Sequence, residues 1–241
     1  MSIILVPQSA SLLSGQLSGQ AILRLLETAA RTCYQSSARA TKDSAEKMYA
    51  KLWRSGHHSV FEHAHLSVKV ITSRAIGNEL VRHRHTEQLD DVLVDTAISQ
   101  ESTRYCSYAY SLAVIKPSWM SGNVPTTPIT QDVINELCGN WDDKETNWIQ
   151  SILRSAIGYQ NAIVLGNSPQ EARDLLPLAT KTEIVLTASI RQWIQIIQLR
   201  LQKAAHPDIQ RLMQLLLVEL IDHGYEKLLA MFQPEVAYEA E

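Results

Sequence analysis

Cysteine is scarce and dispersed. Cys33, Cys106 and Cys138 are the three in 241 residues, and no two form a C-x-x-C pair. A disulfide framework and a zinc ribbon are thereby excluded, and the odd, scattered set fits a reducing compartment. Long apolar runs are missing too: no stretch approaches the ~20 residues a membrane span requires. The apolar run within residues 1–7 is too short for a signal peptide and lacks its basic lead, so a soluble, cytoplasmic chain without membrane contact is expected. Positive charge is not in excess either. The net charge of −3 argues against a surface built to bind nucleic acid, so any anion site is local. Four motifs are absent as well: Gly-x-Gly-x-x-Gly, a Walker loop, His-Glu-x-x-His and Gly-x-Ser-x-Gly. A Rossmann dinucleotide site, a P-loop, a zincin centre and a hydrolase elbow go with them.

What is present is enough for a real core, with 45% apolar and 20% charged residues. The length favours one elaborated domain over 1–241. Ile22, Leu25, Leu26, Ala29 and Cys33 recur at helical spacing in residues 19–34, and Ala45, Met48, Leu52 and Trp53 do so in residues 43–55. Leu66, Val68 and Val70 alternate as in a strand, after which Ser73 is placed to cap a short helix. Residues 102–115 have strand-like composition, and 116–127 read as a loop. Ser168-Pro169-Gln170-Glu171 is a capping box with proline at the first helical position. Residues 181–187 read as strand, followed by helices from about Ser189 and about Pro207.

The chemistry concentrates in Arg82-His83-Arg84, where two forked cations and an imidazole make a poor core segment and a good phosphate cradle. The plain alternative for Arg82 is a helix-surface ion pair with Glu79. Gln100, Ser102 and Arg104 alternate with Glu101 and Thr103, so an extended backbone turns a donor-rich edge to one side. Ser102 has no hydrolase elbow around it and reads as a phosphate donor. Arg200 shares a helical stripe with Trp193, Ile196, Ile197 and Ala204; it is either snorkelling at the edge of that face or held inside it to meet an anion. Arg191 lines up with Gln195, Gln198 and Gln202, a solvated face or an amide-rich lining for a heterocycle. Arg173, one turn into the capped helix, is surface or anion ligand. Six of the eight histidines, His57, His58, His63, His65, His83 and His85, lie between positions 57 and 85. Without metal-ligand spacing they read as neutral imidazoles against a cofactor or backbone, with no metal site.

Together these residues resemble the flavin-dependent thymidylate synthases, whose signature is Arg-His-Arg, seven residues, then Ser-x-Arg. With residues 87–96 set aside as a ten-residue insertion, the remainder reads RHRHTAISQESTRY and the spacing is restored. Gly56-His57-His58-Ser59-Val60-Phe61-Glu62-His63 resembles the family's segment ending in Phe-Glu-His, and Arg31-Thr32-Cys33-Tyr34 its early Cys/Ser-aromatic element. The C-terminal half agrees through Glu171-Ala172-Arg173, Leu176-Pro177-Leu178, Arg191, Trp193, Leu199-Arg200 and Ala205-His206-Pro207-Asp208-Ile209.

The resemblance implies an α+β fold with a central, mainly antiparallel sheet flanked by helices. It also implies a homotetramer with shared active sites. The reaction implied is reductive methylation of dUMP to dTMP, with methylenetetrahydrofolate as carbon donor and NADPH reducing a bound FAD. Alternatives are a related pyrimidine-nucleotide modifying enzyme, for example a hydroxymethylase, or a nucleotide-binding homologue without turnover. By position, Glu79, Arg82, Gln100, Ser102, Thr103, Arg104, Arg173 and Arg200 would bind dUMP, with Arg200 and Ser102 catalytic. Cys33, His57, Arg82, His83, Arg84, His85, Gln100, Ser189, Arg191 and Gln195 would lie against FAD. Three positions depart from the family: Glu79 stands where Gln is frequent, Ser189 where Asn is, and Gln100 where Glu is.

Overall fold

The computed structural model describes residues 1–13, 17–84, 96–121, 128–137 and 142–229. Its strands are β1 (Ser2–Val6), β2 (Ser9–Leu12), β3 (His65–Ser73), β4 (Ala97–Gln100), β5 (Ser111–Ile115) and β6 (Lys181–Ser189). Its helices are α1 (Gly19–Cys33), α2 (Ser44–Arg54), α3 (Arg74–Leu80), α4 (Gln131–Leu137), α5 (Asp143–Val164), α6 (Pro169–Ala172), α7 (Ile190–Arg200), α8 (Pro207–Asp222) and α9 (Glu226–Leu229). The fold is mixed helix and antiparallel sheet. The four-stranded sheet has the order β2-β3-β6-β4, and β1 pairs with β5 separately and in parallel.

The residues group into two compact units, each assembled from separate stretches of chain. The first comprises Met1–Ser9, Val70–Arg82 and Ser99–Ile184. Its core is the β1/β5 pair, in register from Ser2 with Ser111 to Val6 with Ile115, packed against α5. That helix is capped by the Asp142 carboxylate, which accepts from the Glu145 N–H at 2.7 Å. Ile149, Ile152, Leu153, Ala156 and Tyr159 form its buried stripe against Ile3, Leu112 and Val114.

The second unit comprises Ala10–Lys69, His83–Ile98 and Val185–Glu241. Here α1 buries Ile22, Leu23, Leu26 and Ala30 and meets α2 and α9. Fully buried Phe61 carries the Tyr49 ring at 5.0 Å and the Trp53 ring at 5.2 Å. Trp193 of α7 is buried because its indole N–H reaches the Leu66 carbonyl at 3.0 Å, and α8 packs beside α7.

The expected helices over 19–34 and 43–55 form, as do the strand after Leu66, the Ser73-capped helix, the capping box and the two C-terminal helices. The expected strand over 102–115 is corrected to 111–115. Residues 103–105 turn instead, because the Ser102 hydroxyl and carbonyl take local N–H donors that an extended ladder would have used.

Candidate active site

Most of the expected dUMP residues belong to the first unit. Ser73 starts α3 by accepting from the Ile76 N–H at 3.2 Å, and the helix carries Gly77 and half-buried Glu79 toward Arg82. Arg82 is exposed and makes no hydrogen bond or ion pair with a described residue, whereas Glu79 is engaged elsewhere; the surface pair between them does not form. Gly77 sits close against its neighbours. A Cβ there would lie 3.0 Å from Gln100 Nε2 and 3.1 Å from Ile184 Cδ1. Gln100 Nε2 donates to the Thr182 hydroxyl at 3.2 Å, so this amide is oriented by a residue the sequence reading passed over.

Glu101 is anchored on all sides. Its N–H donates to the Glu183 carbonyl at 2.9 Å, and its own carbonyl accepts from Arg74 Nη1 at 3.2 Å. Its carboxylate accepts the Tyr108 hydroxyl at 2.8 Å and pairs with Lys181 at 3.1 Å. Burial and then the Glu101 hydrogen bond push the Tyr108 phenol well above its usual range, so it stays a donor.

Anchoring Glu101 fixes where the next turn begins. The Arg104 N–H donates to Ser102 Oγ at 3.2 Å and the Cys106 N–H to the Ser102 carbonyl at 3.0 Å. Ser102 and Arg104 are therefore neighbours through a turn, not through the alternation of a strand. Thr103 is buried, while Arg104 extends outward over the Tyr105 ring, 5.5 Å from its centroid, with its Nε on Gln170 Oε1 at 2.8 Å. Gln170 sits in the capping box, where Glu171 accepts from the Ser168 N–H at 2.8 Å. Arg173, exposed, closes that short helix.

Apart from Arg82 and Gln100, the expected FAD residues belong to the second unit, as does Arg200. Arg200, half-buried, donates from Nε to His83 Nε2 at 2.9 Å. That bond requires a bare Nε2, so His83 is the neutral imidazole. Burial and then the Arg200 charge lower its pKa from 6.5 to about 4. Arg200 therefore stands between the two alternatives, half-buried and held through Nε by His83. The Thr96 hydroxyl donates to the His83 carbonyl at 3.1 Å and is itself buried.

Arg191 is no part of a solvated stripe: its Nη1 pairs with Glu62 at 2.6 Å, its side chain 13% exposed. Glu62 was readable only through the Phe-Glu-His segment. Gln195 is half-buried one turn on. Ser189 is 1% exposed, and its hydroxyl accepts from the Gln192 N–H at 3.2 Å, which makes it the N-cap of α7. Cys33 and His57 are exposed, at the end of α1 and just before the 3-10 turn His58–His63. Arg84 closes the 3-10 turn Val81–Arg84. His85 and residues 87–95 of the insertion lie outside the described residues.

The ten residues set aside in the signature can be placed in two ways. Removing 86–95 leaves the same sequence as removing 87–96, because Thr86 and Thr96 are identical. Thr96 is buried, with its hydroxyl on the His83 carbonyl.

Comparison with known proteins shows what this chain is similar to. A flavin-dependent thymidylate synthase from Mycobacterium avium is 32% identical over 195 residues, covering 78% of this chain and 71% of the relative. One from Mycobacterium tuberculosis is 31% identical over 198 residues with the same coverage. Among solved structures, thymidylate synthase X from Helicobacter pylori with FAD and dUMP superposes with a TM-score of 0.64 at 18% identity, over 94% of this chain and 99% of that one. The UMP/dUMP methylase PolB from Streptomyces cacaoi, bound with 5-Br dUMP, gives 0.66 at 18% identity, over 95% and 97%. Residues 19–223 match the family model described as thymidylate synthase complementing protein, and to that family the chain belongs.

Proposed function

We propose that this chain is a flavin-dependent thymidylate synthase that methylates dUMP to dTMP. Methylenetetrahydrofolate provides the carbon, and NADPH supplies the hydride through FAD. The net reaction balances: dUMP, methylenetetrahydrofolate, NADPH and a proton give dTMP, tetrahydrofolate and NADP+. The active form is a homotetramer with shared sites. The observation that carries the reading is the Arg200–His83 contact at 2.9 Å, which unites the signature with a distant arginine in a chain of this family.

The donor set fits FAD chemically. A pyrophosphate suits the exposed, unpaired guanidinium of Arg82, and an uncharged ring bearing carbonyl acceptors suits Gln195, His57 and the neutral His83. When bound, the flavin supplies the hydride that completes the methyl group. The chain's own work is positioning and polarisation. Arg200, held through Nε by a residue that cannot compete for its charge, faces the pyrimidine as negative charge develops on the ring. Ser102 and Arg104, joined by their turn, hold the nucleotide phosphate with Arg173, and Gln100, steadied by Thr182, contributes an amide to both ligands. Arg191, neutralised by Glu62, contributes donors more than net charge to the flavin wall.

Oxidation of the reduced flavin by dUMP, followed with and without the folate donor, tests the reading: oxidation needs both and yields dTMP. A related enzyme with a different product is the second reading. It is favoured by Gln100, which brings a neutral amide bonded to Thr182 where family members often have a carboxylate. Mass analysis of the product separates the two. Flavin oxidation without any modified nucleotide would overturn both.

A further inference from the structure

We propose that the second unit carries an additional anion pocket, sharing no lining residue with the FAD and dUMP sets, that takes a small phosphate-bearing ligand. Its wall is one face of α1, where Arg24, Thr28 and Arg31 follow at four- and three-residue steps. Opposite stands the segment leading into α2, with Ser37, Thr41 and Lys42. Between them is a cavity of about 260 Å³.

A charged helix face in open water is ordinarily just solvated. This one differs in having a built floor. Glu27 and Arg31 are buried, 6% and 7% exposed, and pair at 2.8 Å through both Nε and Nη2. The Ser44 hydroxyl donates to the same Glu27 oxygen at 2.5 Å, and Arg31 Nη1 donates to the Ser36 carbonyl at 3.1 Å, which ties the facing segment down. The pocket's acidic residue is thus already neutralised inside it. Arg24 and Lys42, both exposed, make no hydrogen bond or ion pair with a described residue. The lining therefore presents two uncompensated cations above a satisfied ion pair, in a chain whose net charge is −3.

Hydroxyl chemistry narrows the ligand. Thr28 already donates to the Arg24 carbonyl at 2.8 Å, but Ser37 and Thr41 add hydroxyl donors beside the guanidinium and the ammonium. A fork, a point charge and hydroxyls around a volume larger than a bare phosphate suit a diphosphate or a phosphorylated sugar.

Titration of inorganic pyrophosphate into protein saturated with FAD and dUMP, read by calorimetry, tests the pocket. One saturable, salt-weakened step is expected. In the double variant Arg24→Gln, Lys42→Gln its affinity falls about tenfold or more while bound-flavin absorbance is unchanged. Both side chains are exposed, so an unaltered melting temperature checks that the variant is folded. No saturable binding, or equal affinity in the variant, overturns the proposal. A triglutamate peptide that binds as tightly as pyrophosphate overturns the phosphate assignment. If FAD and dUMP themselves fail to bind, the same titration on the unliganded protein and its variant still reads the pocket separately from the proposed reaction.

Discussion

One pair of side chains concentrates the electrostatics of this chain. Arg200 offers a permanent cation, and His83, whose Nε2 accepts from it, has its pKa lowered to about 4. On the proposed assignment of Arg200 to the nucleotide, the Arg200→Ala variant removes charge-assisted bonds worth about 1.5–3 kcal/mol, so dUMP binding should weaken roughly ten- to hundredfold. FAD binding, titrated by flavin fluorescence, changes far less; equal losses for both ligands would contradict the assignment. The same pair sets a pH dependence. An unfolded histidine takes its proton near 6.5, whereas His83 in the fold holds it off until about 4. Between those values the unfolded chain binds more protons, so the stability contribution is complete above 6.5 and is lost as pH falls toward 4. With partial solvent screening, the loss from about pH 7.5 to about pH 5 is on the order of 1–2 kcal/mol. The His83→Gln variant, which keeps an acceptor for Arg200 but cannot titrate, should flatten that part of the urea-midpoint profile. An unchanged profile would mean another group is responsible.

At the level of elements, helix starts govern the site. Ser189 is expected against the flavin, yet its hydroxyl serves the α7 N-terminus. Replacing it with Ala removes a cap and should cost about 1 kcal/mol in denaturant unfolding, whereas Asn, an equally good cap, should restore stability. A large loss of flavin in Ser189→Ala with stability unaffected would reverse that assignment. In α3, Gly77→Ala puts a methyl into the space beside Gln100 and Ile184. A destabilisation of about 1–2 kcal/mol is expected, with weaker dUMP binding as Gln100 is displaced from Thr182.

Elements whose cause is local were legible in the sequence: the helices α1 and α2, though the faces they bury are shifted to include Leu23, Ala30 and Tyr49, the Ser73 cap and the Ser168–Glu171 box. Elements set by distant pairing were not. The parallel partnership of β1 with β5 joins residues more than a hundred positions apart and leaves no mark in either strand. The turn after Glu101 was missed because the Ser102 hydroxyl and carbonyl take the Arg104 and Cys106 N–H groups, a local competition that the strand-like composition of 102–115 does not show. For the site, motif spacing singled out the arginines and Gln100, but not their partners: Glu62 on Arg191, Gln170 on Arg104 and Thr182 on Gln100 are brought there by the fold.

For the molecule as a whole, the interruption of the signature poses the sharpest question. The expected dUMP residues fall mainly in one compact unit and the expected FAD residues mainly in the other, and His83 to Ile98, which contains the insertion, belongs to the second. Thr96 already returns to the His83 carbonyl, so the chain on either side of residues 86–95 is closed by a hydrogen bond of 3.1 Å. Two residues, Arg84 and His85, span such a gap easily at ~3.3–3.6 Å per extended residue. Deleting 86–95 should therefore leave a folded protein. Because shortening a loop lowers closure entropy only slowly with length, its stability should change by no more than about 1 kcal/mol. The deletion also removes Glu87, Asp90, Asp91 and Asp95, four acidic residues next to the arginines proposed to bind phosphate. Affinity for dUMP should rise as a result, most clearly at low ionic strength, where repulsion is least screened. A deletion variant that folds, keeps its flavin and binds dUMP with a salt dependence identical to the parent's would show that the acidic segment does not act on the nucleotide. One that folds but loses dUMP binding would show that it belongs to the substrate site.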